Sequence, residues 1–416
     1  MTQPLAPYAL FASALAMAGL PIYIHAPKFF VDEYGVSLAA LGAVLFGLRL
    51  LDVVQDPALG WLSRRLSDKR GIAVAVAGAL MAAAMIGLFA MTPVLNPLVW
   101  FALTLALLFS AFSFLTISFY AEGVSTARRM GGEGHIRLAG WRETGSLLGV
   151  SLAAVAPVIL LNLTERPFAL FAFIFAALTL IAVWSMRKEW RGGGNTSTGG
   201  IAPILQDPIA RRLLLIALLN ATPVAVSSTL FLFFVESRLQ APGWEGPLLL
   251  LFFLAAAMCA PIWSRIAQNH GAKPTLMFGM SLSIVAFAGA ALLGAGDVMA
   301  FAIICFFSGA ALGADMTLLP ALFATRSAEI TNEAAEGFGL WSFVSKFTLA
   351  FAAVILLPLL DAVGFQSGQA SQSEQALLAL TLSYAVLPCG LKLVALGLLA
   401  VTPLEDQGTA LNTKGT

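Results

Sequence analysis

Gly47-Leu48-Arg49-Leu50-Leu51-Asp52-Val53-Val54-Gln55-Asp56-Pro57 lies inside an apolar run that begins near Ala39 and ends near Trp61. Its neighbours predict a lipid-embedded helix, yet it carries one cation and two carboxylates. Arg49, Asp52 and Asp56 are spaced i, i+3, i+7 and project from one helix face. A charge at the centre of a spanning helix costs roughly 2.5 to 3.5 kcal/mol on insertion scales. Apolar neighbours would not offset that cost if the face met lipid, so it must turn toward a polar or wet pathway. Pro57 has no N–H, which leaves the Val53 carbonyl without its usual helical donor beside the acids.

The whole chain shares this character. Its 416 residues are 59% hydrophobic and 11% charged, with a mean hydropathy of +0.89. Soluble domains carry about 25% charge, so the composition reads as a polytopic membrane protein. A net charge of +1 gives no basic excess for nucleic acid. Cys259, Cys305 and Cys389 form an odd set without CxxC spacing, which predicts neither a disulfide framework nor a metal site.

A span needs about 20 apolar residues, and runs of that kind number twelve. They fall near 6–26, 37–61, 72–93, 96–123, 136–161, 167–187, 209–236, 245–268, 273–293, 297–325, 335–361 and 376–402. The stretch from Met186 to Arg212 breaks the pattern with Gly, Ser, Thr and charge. The expected organisation is therefore a six-helix bundle at 1–187, a cytoplasmic linker at 188–208, a second six-helix bundle at 209–402 and a cytoplasmic tail at 403–416. Basic residues crowd alternate loops, which places both termini in the cytoplasm by the positive-inside rule. Pro57, Trp61, Ser63, Arg64 and Gly71 recur approximately as Pro261, Trp263, Ser264, Arg265 and Gly271. Such a repeat suits two related halves around a midplane site. The acidic pair itself is not repeated, so ion chemistry is assigned to the first half.

Other polar residues inside the spans extend the candidate site. Helix 4 carries Ser113, Thr116 and Tyr120 on one face; packing is the bland reading. Beside helix 2, hydroxyls and carboxylates make an all-oxygen set suited to sodium, or the acids could share a proton. Helix 11 holds Lys346, with Ser342 one turn earlier. At 1.5 Å per residue Lys346 lies about 17 Å from the cytoplasmic end of its helix and Asp52 about 14 Å from its own. The two charges are therefore expected to be able to meet. Arg142 and Glu143 open helix 5, with Arg142 the candidate for the cavity. Asp315 and Lys392 share a similar depth and form an ion pair or a substrate site. Glu122, close to the end of helix 4, reads as interfacial. The turn holding Arg64, Arg65, Asp68 and Arg70 reads as a topology signal and as a cytoplasmic gate. No nucleophile, metal or phosphate-binding set appears, so an enzyme is not expected.

Twelve spans, a central loop and a basic turn between helices 2 and 3 resemble the major facilitator superfamily. The run Arg49-x-x-Asp52-x-x-x-Asp56-Pro57-x-x-Gly60-Trp61, with Glu336-Gly337 and Lys346, is similar to the glycoside–pentoside–hexuronide:cation symporters, typified by the melibiose permease. The resemblance implies an all-α membrane protein of two pseudo-symmetric six-helix bundles. It implies a cation site at Asp52 and Asp56 helped by a helix 4 hydroxyl, best matched by Ser113, with sodium or a proton as coupling ion and no other cofactor; Thr116, on the same hydroxyl face, joins the candidate cation set. Tyr120, Arg142, Ser342 and Lys346 become candidate substrate-binding residues. Arg49, Asp315, Lys346 and Lys392 become candidates for a coupling or charge network.

There are departures from the pattern. Residues near Ala16 are apolar where galactoside carriers have a helix 1 carboxylate, and Thr116 replaces the second sugar-binding acid. Leu322-Phe323-Ala324-Thr325-Arg326 replaces the family's acidic segment. The expectation is a monomeric symporter of a sugar or glycoside in a bacterial cytoplasmic membrane. A lysolipid or other amphiphile carrier and a proton-driven exporter are the alternatives on the same fold.

Overall fold

In the computed structural model the described residues are 5–131, 134–160, 163–191, 201–330, 335–365 and 372–404. The Gly-rich stretch 192–200 of the expected linker and residues 405–416 of the expected tail lie outside them. So do the side chains of Arg49 and Glu336.

The first expected span is two helices. Helix α1 (Ala6–Met17) stops at Ala18, and α2 (Leu20–Tyr34) begins after Gly19, whose ψ of −121° leaves the helical region. Pro21 follows in the first turn of α2, where a missing N–H costs nothing. Gly35 then closes α2 with a left-handed φ of 64°. Helix α3 (Leu38–Arg65) starts at Ser37, whose Oγ accepts from the Ala40 N–H at 3.1 Å. It passes through Pro57 without breaking and ends on Arg64 and Arg65, whose charge suits a helix C-terminus. The first half continues through α4 (Arg70–Phe89), α5 (Pro97–Met130), α6 (Gly134–Leu160) and α7 (Pro167–Ser185).

After the short α8 (Ile201–Gln206), Asp207 caps α9 (Pro208–Phe233), accepting from Ala210 N–H at 2.7 Å. Then come α10 (Glu245–His270), α11 (Ala272–Ala288), α12 (Val298–Ile330) and α13 (Ala335–Ala362). The last span is α14 (Glu374–Thr381), a π turn over Leu382–Val386, and α15 (Leu387–Val401). Among the described residues, eight segments are long and apolar enough to cross a membrane.

The chain divides into two compact units. The first is Met1–Ile204 with Ser327–Phe343; the second is Leu205–Arg326 with Val344–Thr416, so the border falls within α13. In the first unit, Tyr8, Phe11, Phe30, Phe101 and Phe119 are buried in one apolar core. Helices α1 and α6 touch through Gly145 and Gly149, where any Cβ would collide with the backbone of Ala9 and Ser13. Small residues four apart let membrane helices approach this closely. The second unit repeats the device with Gly309 and Gly313 against the backbone of Phe252 and Ala256. Trp263 Nε1 also donates to the Ala310 carbonyl at 2.7 Å, fixing α10 against α12. In the same unit a second π turn, Phe234–Arg238, brings Phe234 onto Tyr384 with ring centres 4.1 Å apart.

Candidate functional site

Asp52 and Asp56 are 3% and 0% exposed, one turn apart on α3. Each is tied to a neutral polar group. Gln55 Nε2 donates to Asp52 Oδ1 at 2.9 Å, and Ser110 Oγ on α5 donates to Gln55 Oε1 at 2.9 Å. Ser342 Oγ, from the part of α13 that belongs to the first unit, donates to Asp56 Oδ2 at 2.6 Å. Gly339, one turn before Ser342, lets α13 come close to α3: a Cβ there would stand 3.2 Å from the Asp56 carbonyl. Two buried carboxylates, one held by an amide and one by a hydroxyl, form an oxygen-rich set of the kind hard cations favour.

Ser113 on α5 is fully buried. Thr116 has a buried Oγ1 without a hydrogen-bond partner. Ser342 was expected at the substrate, and the structure places it on the Asp56 carboxylate. Gln55 and Ser110 were not singled out in the sequence, although Gln55 lies between the two acids and Ser110 is one turn before Ser113. The available signal was this position on the same two helices.

A second cluster sits in the same unit. Arg142 is 6% exposed, its Nε donates to Glu143 Oε1 at 2.7 Å, and its guanidinium lies 3.9 Å from the Tyr120 ring centre. Tyr120 donates to the same Glu143 oxygen at 3.3 Å, and its ring meets Phe338 with centres 4.9 Å apart. Glu143 thus anchors two of the candidate substrate-binding residues, Tyr120 and Arg142. Arg142 Nη2 remains buried without a hydrogen-bond partner.

The gate residues divide. Arg70 is buried and donates to Glu122 Oε2 at 3.0 Å, whereas Asp68 is exposed. Glu122, expected at an interface, is 1% exposed. Arg129 lies 3.5 Å from Glu122 and 3.7 Å from Glu189 and donates to Thr126 Oγ1 at 2.8 Å. Thr126 also bonds Tyr8 OH at 2.5 Å. Counting residues from a helix end gives depth along the axis, but the neighbouring helices decide burial. Arg65 lies over Trp61, with 5.1 Å from the guanidinium carbon to the ring centre, and Arg64 is half-buried.

In the second unit Lys392 Nζ donates to Asp315 Oδ2, with both side chains 5% exposed. The similar depths of these residues do bring them together as an ion pair. Lys346, half-buried, belongs to the second unit's share of α13.

The family description "MFS/sugar transport protein" matches residues 7–406. A sodium-dependent lysophosphatidylcholine symporter from Gallus gallus is 25% identical over 174 residues, which is 40% of this chain and 33% of that protein. The matched part is therefore about one third of that relative's length. Among solved structures, a bacterial homologue of the iron transporter ferroportin, outward-facing with soaked iron, aligns with a TM-score of 0.67 at 16% identity. That alignment covers 95% of this chain and 98% of that one. At this identity the likeness shows the fold. The family match over nearly the full length, with buried polar groups inside apolar helices, makes this chain a member of the MFS/sugar transport family, a membrane transporter and not an enzyme.

Proposed function

We propose that the protein is a cation-coupled symporter of a sugar or glycoside working by alternating access. The observation that carries this reading is the buried Asp52–Asp56 pair with Gln55 and Ser342 on its oxygens and Ser110 bonded to Gln55. A sodium ion or a proton at the pair neutralises it and lets α3, α5 and the start of α13 draw together. Substrate then binds against Tyr120 and Arg142, with Lys346 linking the cation and substrate sites. The linkage requires each ligand to tighten the other by the same factor. The basic-loop pattern supports cytoplasmic termini; we place the chain as a monomer in a bacterial cytoplasmic membrane.

The test is uptake into vesicles with and without a sodium gradient. Asp52→Asn and Asp56→Asn are expected to abolish gradient-driven uptake at near-normal expression. Wild-type uptake in both variants rejects the mechanism. A second reading, transport of a lysolipid, is favoured by the partial match to the lysophosphatidylcholine symporter. Including lysophosphatidylcholine in the same panel decides between the two, and sodium-independent uptake driven by a pH gradient selects the proton.

A further inference from the structure

The second unit contains a cavity whose empty volume, mouth included, is about 450 Å³. Its wall includes Ser227 on α9, Phe252 on α10, Phe287 on α11, Ser308 and Asp315 on α12, and Lys392 on α15. All of these belong to one unit.

The polar groups are biased toward accepting. Ser308 Oγ gives its proton to the Ile304 carbonyl at 2.6 Å, and Ser227 Oγ gives its proton to Val224 at 3.2 Å. Each hydroxyl therefore retains only lone pairs for a visitor. Asp315 is 5% exposed; Lys392 holds Oδ2, while Oδ1 is buried without a partner. Asn220, 5% exposed, lies against this carboxylate, and its own Oδ1 also has no donor. Buried acceptors left unmet are costly, and Asp315 is part of the cavity wall. Asp315 and Lys392 cancel in charge, so an anionic or ammonium group would arrive without compensation. An acyl chain would leave every acceptor unmet. Phe252 and Phe287 supply apolar area for C–H groups.

We infer that this cavity is a subsite for a neutral polyhydroxyl group, with Asp315, Ser308 and Ser227 accepting its hydroxyl protons. This rests on the sugar reading above and adds a place in the second unit where hydroxyls are recognised.

Cys389 lies on the same wall, half-buried, and reports on occupancy. In full-length protein with Cys259→Ala and Cys305→Ala, alkylation of Cys389 by N-ethylmaleimide is timed with and without glucose, galactose, melibiose, sorbitol or lysophosphatidylcholine. A transported sugar is expected to slow alkylation about threefold to tenfold, and to do so in Asp52→Asn as well. Ser308→Ala removes an acceptor without unpairing a charge. It is expected to raise the KM for that sugar about threefold to tenfold with kcat and thermal midpoint near wild type. Asp315→Asn should do the same if it folds. A sugar that is transported but leaves Cys389 alkylation and the Ser308→Ala KM unchanged overturns the subsite and leaves the symport reading standing. Protection by lysophosphatidylcholine alone also overturns it. If no sugar is transported and none protects, the subsite and the sugar reading fall together.

Discussion

Replacing Gly145 and Gly149 by alanine tests the contact that joins α1 to α6. A Cβ at position 145 would stand 2.7 Å from both the carbonyl carbon and the Cα of Ala9; one at 149 would stand 2.8 Å from Ser13 Cα. Carbon atoms prefer about 3.5–4.0 Å, so each methyl overlaps by about 1 Å with backbone that has no rotamer to change. Overpacking of this kind costs about 1–3 kcal/mol. Alanine regains up to about 1 kcal/mol of helix propensity, leaving a net loss of about 0–2 kcal/mol per site. The two sites lie one turn apart and will not add simply.

Gly390→Ala and Gly397→Ala on α15, where nothing lies within 4 Å, are the controls and should be neutral or slightly stabilising. Because unfolding of membrane proteins is usually irreversible, the comparison is of thermal midpoints by scanning fluorimetry at one heating rate. The expected order places Gly145→Ala/Gly149→Ala several degrees below wild type and the control pair at or above it. If the double variant melts with the controls, the two helices do not approach as described.

Three further expectations concern the charged and polar groups. Glu122→Gln leaves Arg70 buried without its carboxylate and should lower stability by about 3–5 kcal/mol, whereas Glu122→Leu with Arg70→Met should recover most of the loss; a double-mutant cycle with no coupling refutes the pair. The Arg326 guanidinium, with the helix N-terminus it caps, holds the Asp207 carboxyl below its ordinary value. A depressed folded pKa contributes stability that is complete above the unfolded value of about 3.9 and fades as pH falls through the folded one. Asp207→Asn keeps the cap and removes the charge, so its midpoint should lie below wild type at neutral pH and converge with it under about pH 4; a gap that persists in acid assigns the loss to capping. Ser110→Ala frees the Gln55 amide and should weaken apparent coupling-ion affinity about threefold to tenfold with little change in the thermal midpoint; unchanged ion dependence refutes a positioning role.

How much was legible varied from residue to residue. The acids on α3 were conspicuous because a carboxylate among Leu, Val and Phe has no packing explanation. Asp315 and Lys392 could be paired from depth alone, since opposite charges at one level of a bundle are costly apart. Glu122 could be placed by its distance from a helix end, but its enclosure by Arg70, Arg129 and neighbouring helices was not legible along one helix. The break at Gly19 was hidden in an uninterrupted apolar run, because hydropathy measures transfer into lipid and is blind to a change of backbone angle.

Composition and hydropathy by themselves determined the membrane class, the helical architecture and which helices hold charge. Lipid offers the backbone no hydrogen-bond partner, so apolar runs of span length must become helices. Tertiary structure alone decided that Ser342 bonds Asp56, that Ser110 holds Gln55 on Asp52 and that Glu143 gathers Arg142 and Tyr120. These contacts depend on how helices turn about their axes and how closely glycine lets them approach, which spacing along a single helix does not specify.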